Sequence, residues 1–337
     1  MRKWLQPLRG AKARAPRRYF FAVHNRNHVR LFAGAAGILA AKGHECTFIT
    51  LEDLHFKEGA PEALARRNLA AISLAEVEAR LSAGDTLVVG NDWTPRELRS
   101  LLEDRRERGL FAVGYVDGCR FTDPVKYRRV DHVLGWGPSS TELFPVPVTV
   151  VGHPEIEAAA QRIPRFAEPA FAIVNDKFTY GWRPGREAWT DAVLGACEAT
   201  GIPYRVSRHP SDPDDPLGLP NEPMRDLIRD GSVLITRPST TMYEAMAAGK
   251  PIVFFPTPDE ELGEFAQPMG AYDIVHSAAE LPRFIRQALA ERGGYQQRAR
   301  PFLERHVSIE PGRPALERIA HALAALARRG QERARRL

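Results

Sequence analysis

Three consecutive hydroxyl residues, Ser239, Thr240 and Thr241, stand between an apolar run, Val233-Leu234-Ile235, and a stretch, Ala245-Met246-Ala247, that Gly249 closes. The run reads as a buried strand, the hydroxyls as a helix N-cap, and Gly249 as the residue just past a helix end. Pro251 then leads into a second strand, Ile252 to Phe255. This order puts free backbone N–H groups, hydroxyls and a helix start at the carboxyl end of a strand, where a phosphate is favoured. Plain N-capping, worth about 1 kcal/mol, is the other use for such hydroxyls, but not for all three at once. Arg208 and Arg237, in the same half, could neutralise phosphate charge or lie on the surface. His209 follows a strand and precedes Pro210, which biases it toward an extended backbone and lets its imidazole reach the same place. In the first half, the loops after the strands hold His24, His28, Asp92 and Asp117. Each of these can accept a proton from a hydroxyl. Asp212, Asp214 and Asp215 form the main acidic loop, but it is Pro-broken and in the second half. The first half has no DxD pair after a strand, which predicts chemistry without a metal.

The elements that must carry these residues alternate between strand and helix. In the first half, strands are expected at Tyr19 to Val23, Glu45 to Thr50, Thr86 to Val89, Phe111 to Tyr115, His132 to Leu134 and Val148 to Val151. Helices are expected at Val29 to Lys42, Glu62 to Leu81 and Pro95 to Arg108, the last with Pro in its first turn. The Pro-rich stretch 151–169 lacks apolar periodicity and reads as a linker. The second half restarts with a strand from Phe171 to Val174, a helix from Arg186 to Thr200 and a strand from Tyr204 to Ser207. A short helix, Met224 to Arg229, precedes the hydroxyl turn, and helices follow Ala278, Gly294 and Arg313. Such alternation predicts doubly wound, mostly parallel sheets. The chain divides into a basic tail (1–18), a first domain (19–150), a linker (151–168), a second domain (169–312) and a terminal helix with a basic tail (313–337).

Composition narrows the function classes. The chain has 337 residues, enough for two domains with separate cores. No apolar run approaches the roughly 20 residues that span a bilayer. The basic start lacks the apolar segment of a signal peptide. Cys46, Cys119 and Cys197 are scattered and odd in number, which suits a reducing cytoplasm rather than disulfides or a metal cage. Net charge is +5, but residues 1–18 carry seven Lys or Arg and no acid, and residues 328–337 carry five Arg against one Glu. The body between these ends is therefore acidic. The ends read as solvated tails, or as weak contacts with an anionic membrane surface. No helix-turn-helix, RRM or zinc module supports nucleic-acid binding.

The stretch "RPSTTMYEAMAAGKPIVFFP" resembles the C-terminal-domain signature of GT-B glycosyltransferases. With "SRHPSDP" upstream, it is most similar to the capsule and teichoic-acid branch: CDP-glycerol glycerophosphotransferases, polysialyltransferases and capsular Kdo transferases. The opening "FFAVHNRNHVRLFAGAAGILAAKGHECTFIT" is similar to the start of many GT-B enzymes, and "VVGHPEIE" to a linker strand of the same branch. The resemblance implies two Rossmann-like domains facing across a cleft, with the last helix crossing back onto the first. It implies a donor of CMP, CDP or UDP type, such as a nucleotide-sugar or CDP-alditol, and a glycan or lipid-linked hydroxyl acceptor. No cofactor beyond that donor is implied. His209 would meet the donor phosphate, and Glu244 the ribose or sugar hydroxyls. His28 stands where many inverting members carry the base, although the family's "GH" reads Asn27-His28 here. His24 and Asp117 are the alternatives. The implied role is metal-independent transfer of a glycosyl or glycerophosphoryl-type group in the synthesis of a bacterial surface polymer, in the cytoplasm or on the inner membrane face. A UDP-sugar 2-epimerase shares the fold, but its turn carries paired glycines and "QEE"-like acids. A non-catalytic nucleotide- or glycan-binding relic would keep the turn and lose the base.

Overall fold

The computed structural model describes residues 16–51, 59–92, 95–118, 127–162, 171–178, 185–208 and 221–335. The first sheet has seven parallel strands: β1 (Arg18–Val23), β2 (Glu45–Thr50), β3 (Ala71–Ser73), β4 (Thr86–Val89), β5 (Phe111–Tyr115), β6 (His132–Gly135) and β7 (Val148–Val150). Their order is β3-β2-β1-β4-β5-β6-β7. The chain winds outward from β1 in one direction and resumes at β4 in the other, so the winding switches between β1 and β4. The second sheet has five parallel strands: β8 (Ala172–Asp176), β9 (Tyr204–Arg208), β10 (Val233–Thr236), β11 (Ile252–Phe254) and β12 (Asp273–Ile274). Its order, β12-β11-β10-β8-β9, switches between β8 and β10. The central strands β4, β5 and β10 are buried along their whole length, as expected where helices cover both faces.

The helices of the first domain are α1 (Arg26–Ala41), α2 (Ala60–Ala65), α3 (Leu74–Arg80) and α4 (Arg96–Glu103). Helix α1 begins earlier than its apolar pattern suggests, because Asn25 Oδ1 accepts from the N–H groups of Asn27 and His28 at 2.9 and 3.2 Å. His28 therefore sits in the first helical turn instead of the loop. The single helix expected over Glu62 to Leu81 is two helices with β3 between them. Asn68 turns left-handed at φ 53°, and Ser73 starts α3 with a capping box to Glu76.

The stretch read as a linker carries a helix, α5 (Pro154–Ala160), with Pro in its first turn. Helix α5 packs against α8 (Thr241–Ala247) of the second domain. The other helices there are α6 (Arg186–Thr200), α7 (Met224–Asp230), α9 (Leu281–Ala290), α10 (Tyr295–His306) and α11 (Ala315–Ala334). Helix α11 returns to the first domain and packs on α1, where a Cβ at Gly34 would come within 2.9 Å of Leu316. Arg318 on α11 meets Glu157 on α5 at 3.2 Å, both buried. One apolar cluster runs from the first sheet through Trp136 and Ile156 to Tyr243, Phe265 and Phe302.

Both expected tails reach into the fold. Arg17 Nη1 donates to Ala324 O at 3.1 Å, Arg18 pairs with Asp85 at 2.9 Å, and Arg333 pairs with Asp131 at 3.2 Å. Only residues 1–15 of the N-terminal basic segment and 336–337 of the C-terminal one lie outside the described residues.

Candidate active site

The carboxyl ends of β1, β4 and β5 are adjacent at the switch point of the first sheet, the usual place for a ligand in such sheets. They bring together His24, Asn91 and Asp117, with His28 from the start of α1. His28 Nε2 lies 2.7 Å from Asp117 Oδ2. The His24 backbone N–H donates to His28 Nδ1 at 3.4 Å, which leaves the ring proton of a neutral His28 on Nε2, pointing at the carboxylate. Gly90 makes room for this ring, since a Cβ there would stand 2.5 Å from His28 Cε1. The His24 ring is edge-on to His28, and Asn91 Nδ2 is 3.0 Å from His24 Nε2. Two residues offered by the sequence as alternative bases, His28 and Asp117, are thus partners.

Their exposures differ. The His28 side chain is 3% exposed and the Asp117 side chain 40%. The carboxylate faces solvent, with the imidazole behind it. Asp92 is excluded from such work, because its oxygens accept from the Tyr127 and Arg129 N–H groups at 2.8 and 2.9 Å, and it is fully buried. Tyr127, at φ 62°, donates its hydroxyl to Gly90 O and Tyr115 O and so ties the ends of β4 and β5.

The hydroxyl turn stands at the switch point of the second sheet. Thr240 takes the N-cap position of α8 with no side-chain cap bond. Ser239 Oγ instead accepts from the Thr241 N–H at 3.3 Å and from Thr241 Oγ1 at 2.9 Å. Asn175, near the end of β8, donates from Nδ2 to Thr241 Oγ1 at 3.0 Å and to Thr236 Oγ1 at 2.8 Å. The bonds run in one direction, Asn175 to Thr241 to Ser239, which leaves the Ser239 hydroxyl proton to donate onward. Helix α8 has only seven residues, so the relay of hydroxyls, more than the helix end, is what could hold an anion.

Glu244 on α8 is half-buried among charges from both domains: Glu155, Arg30, Arg162 and Arg225. Burial first, and then Glu155, push its pKa up to about 7, against the pull of the three arginines. Arg30 pairs with Glu155 at 3.2 Å and so joins α1 to α5 beside it.

Arg237 directs its guanidinium to Glu260. It is buried, forms a two-pronged pair with Glu260 at 2.8 Å in both bonds, donates to Lys177 O, and lies over the Phe178 ring. Of the two places expected for it, beside a phosphate or on the surface, burial removes the second, and its bonds hold the loops after β8 and β10. Arg208 ends β9, and its backbone N–H donates to Asn221 Oδ1 at 2.9 Å. His209 lies outside the described residues. Sequence reading missed Asn175, whose one signal is a polar residue closing an apolar strand. It also missed Trp136, which carries no local signal.

No protein-family model matches the chain, and no curated protein matches it in sequence. Solved structures do match in shape. The spinosyn forosaminyltransferase SpnP aligns with a TM-score of 0.59 at 15% identity, covering 93% of this chain and 100% of that one. MurG from Acinetobacter baumannii aligns at 0.57 and 14%, covering 92% and 100%. A protein described as a UDP-N-acetylglucosamine 2-epimerase, from Listeria monocytogenes, aligns at 0.61 and 13%, covering 94% and 98%. The fold is GT-B. Identity this low establishes GT-B architecture without a particular branch of it. Within that architecture, the His28–Asp117 pair belongs to the N-terminal domain and the Ser239–Thr241 turn to the C-terminal one.

Proposed function

We propose that the chain is a glycosyltransferase that moves a group from a nucleotide-activated donor to a hydroxyl acceptor. The observation that supports this best is the division of labour between the two switch points. One carries a buried imidazole behind an exposed carboxylate, and the other a relay of hydroxyls beside a carboxylate. In this reading the donor phosphate takes hydrogen bonds from Ser239 and its neighbours, and Glu244 accepts from ribose or sugar hydroxyls. The acceptor hydroxyl gives its proton to Asp117 as its oxygen bonds to the anomeric carbon. The bond from that carbon to the phosphate breaks, and the electron pair leaves on the phosphate, where donors stabilise it. His28 holds the Asp117 carboxylate through its Nε2–H. No metal is assigned a step.

The donor is of CMP, CDP or UDP type, and the setting is bacterial surface polysaccharide synthesis at the inner membrane face. This finer part rests on the resemblance of the "SRHPSDP" and "RPSTTMYEAMAAGKP" stretches to the capsule and teichoic-acid branch. A thermal-shift screen of CMP, CDP, UDP, GDP and UDP-sugars tests it first. A true ligand at 100 times its Kd adds about 2.7 kcal/mol of stability. Silence with all of them would remove the reading.

The likeness in shape to a protein described as a 2-epimerase favours a second reading. An epimerase would alter a UDP-sugar with no acceptor present, whereas the transferase needs one. Product analysis with and without acceptor separates the two.

A further inference from the structure

Trp136 stands where four elements of the two domains meet. Its backbone O accepts from the Ser308 N–H at 2.7 Å, on the link between α10 and α11. Its indole Nε1 donates to Val116 O at 2.6 Å, one residue before Asp117. Its ring meets Tyr243 edge-on, with centroids 5.8 Å apart and planes at 90°, one residue before Glu244. The ring also stands edge-on to His153 at the start of α5, with centroids 4.6 Å apart. One buried side chain thus touches the neighbours of both carboxylates assigned to the reaction.

The segment from Tyr115 to Asp117 is tied at each residue to a different element. Tyr115 donates its hydroxyl to Gly152 O at 3.1 Å, before α5. Val116 O accepts from Trp136, and Asp117 meets His28 on α1. The tie through Trp136 continues into the donor domain by a direct ring contact with Tyr243. An indole N–H is a donor with a fixed in-plane direction, so the bond to Val116 O sets the rotation of the ring. The ring edge in turn meets Tyr243 on α8. Gly137 allows the approach from the other side, since any side chain there would overlap the His306 backbone. Burial keeps water from replacing the indole bond.

We infer that Trp136 is a positioning residue that sets Asp117 of the first domain against Glu244 of the second. Its consequence for turnover rests on the transferase reading, but the geometry it fixes does not. Trp136→Phe keeps a ring against Tyr243 and His153 and removes only the N–H. The experiment is a crystal structure of that variant, with calorimetric titration of UDP and CDP and a measurement of kcat. The 2.7 Å approach of Asp117 to His28 is expected to open beyond hydrogen-bond distance. Turnover should fall roughly 10²-fold, the cost a misplacement near 1 Å can carry, with nucleotide affinity unchanged. A native Asp117–His28 approach in the variant, whatever its turnover, would overturn the inference. If the native chain transfers nothing from any donor, the transferase reading falls. The Asp117–His28 separation in the variant still decides the role of Trp136. Should Trp136→Phe not fold, Trp136→Tyr is measured in the same way.

Discussion

Asp117 and His28 touch at 2.7 Å, with the carboxylate facing solvent and the imidazole sealed behind it. That order decides which of the two an acceptor can reach. Both ring nitrogens of His28 are engaged, one by the His24 backbone and one by Asp117. In the proposed reaction the imidazole acts on the carboxylate, and the carboxylate acts on the acceptor.

Ser239 and Thr240 are the residues through which the donor phosphate should be held. Changing both to Ala removes two hydroxyls from a turn whose backbone course is set by the strand and helix around it. Hydrogen bonds to charged groups contribute about 1.5–3 kcal/mol each, so nucleotide affinity should fall at least tenfold, as calorimetry would read it. The melting temperature should barely move. Unchanged affinity would place the phosphate elsewhere.

Arg237 gives the opposite pattern. Its removal strands Glu260 in the interior, and breaking one side of a buried pair costs about 3–5 kcal/mol. Arg237→Ala should therefore show a large drop in denaturation midpoint. A stable Arg237→Ala protein that had lost nucleotide binding alone would return this residue to the phosphate site.

How these two residues differ shows what a sequence can and cannot carry. The strands β2, β4 and β5 and the helix α6 end where their apolar runs and glycines say they should, because local chemistry sets those ends. The hydroxyl turn was legible for the same reason. Arg237 was not, since nothing local announces that Glu260, 23 positions on, folds back to meet it. The pairing of His28 with Asp117 depends on strands β1, β4 and β5 lying side by side, which is a property of winding order. The Pro-rich segment concealed α5 because seven residues are too few to display a helical period, and its burial against α8 supplies the stability. Trp136 acts through contacts with four elements distant in sequence, so no window of residues reveals it.

Glu244 makes stability depend on pH. Its pKa in the folded chain rises from the ordinary 4.5 to about 7. Between those values the folded state keeps a proton that the unfolded chain has released, so stability falls as pH climbs and levels off above 7. Glu244→Gln should remove this slope. Going from pH 5 to pH 8, the variant should gain roughly 1–3 kcal/mol on the native chain, because a folded and an unfolded pKa that differ by one correspond to about 1.4 kcal/mol. Parallel stability profiles for the two proteins would show that Glu244 titrates normally. Burial sets this behaviour first and Glu155 adds to it, while Arg30, Arg162 and Arg225 oppose it.

The basic N-terminal segment offers a test of membrane contact. Arg17 and Arg18 belong to the fold, so the deletion should stop at residue 15. Residues 1–15 carry five Lys or Arg, each contributing about 1 kcal/mol near an anionic surface. Their loss should weaken sedimentation with phosphatidylserine-containing vesicles and spare turnover on a soluble acceptor. Equal vesicle binding with and without the segment would reject the contact.

In the proposed reaction the base and the donor site lie in different domains, and Asp117→Asn is the sharpest probe of that division. The substitution keeps the shape of the side chain and removes its ability to take a proton. Donor affinity and kcat should be measured on the same preparation once a donor is known. We expect unchanged donor affinity and a kcat lower by on the order of 10²–10⁴, the usual contribution of a general base. Native turnover in Asp117→Asn, or a loss of donor binding equal to the loss of turnover, would refute the division.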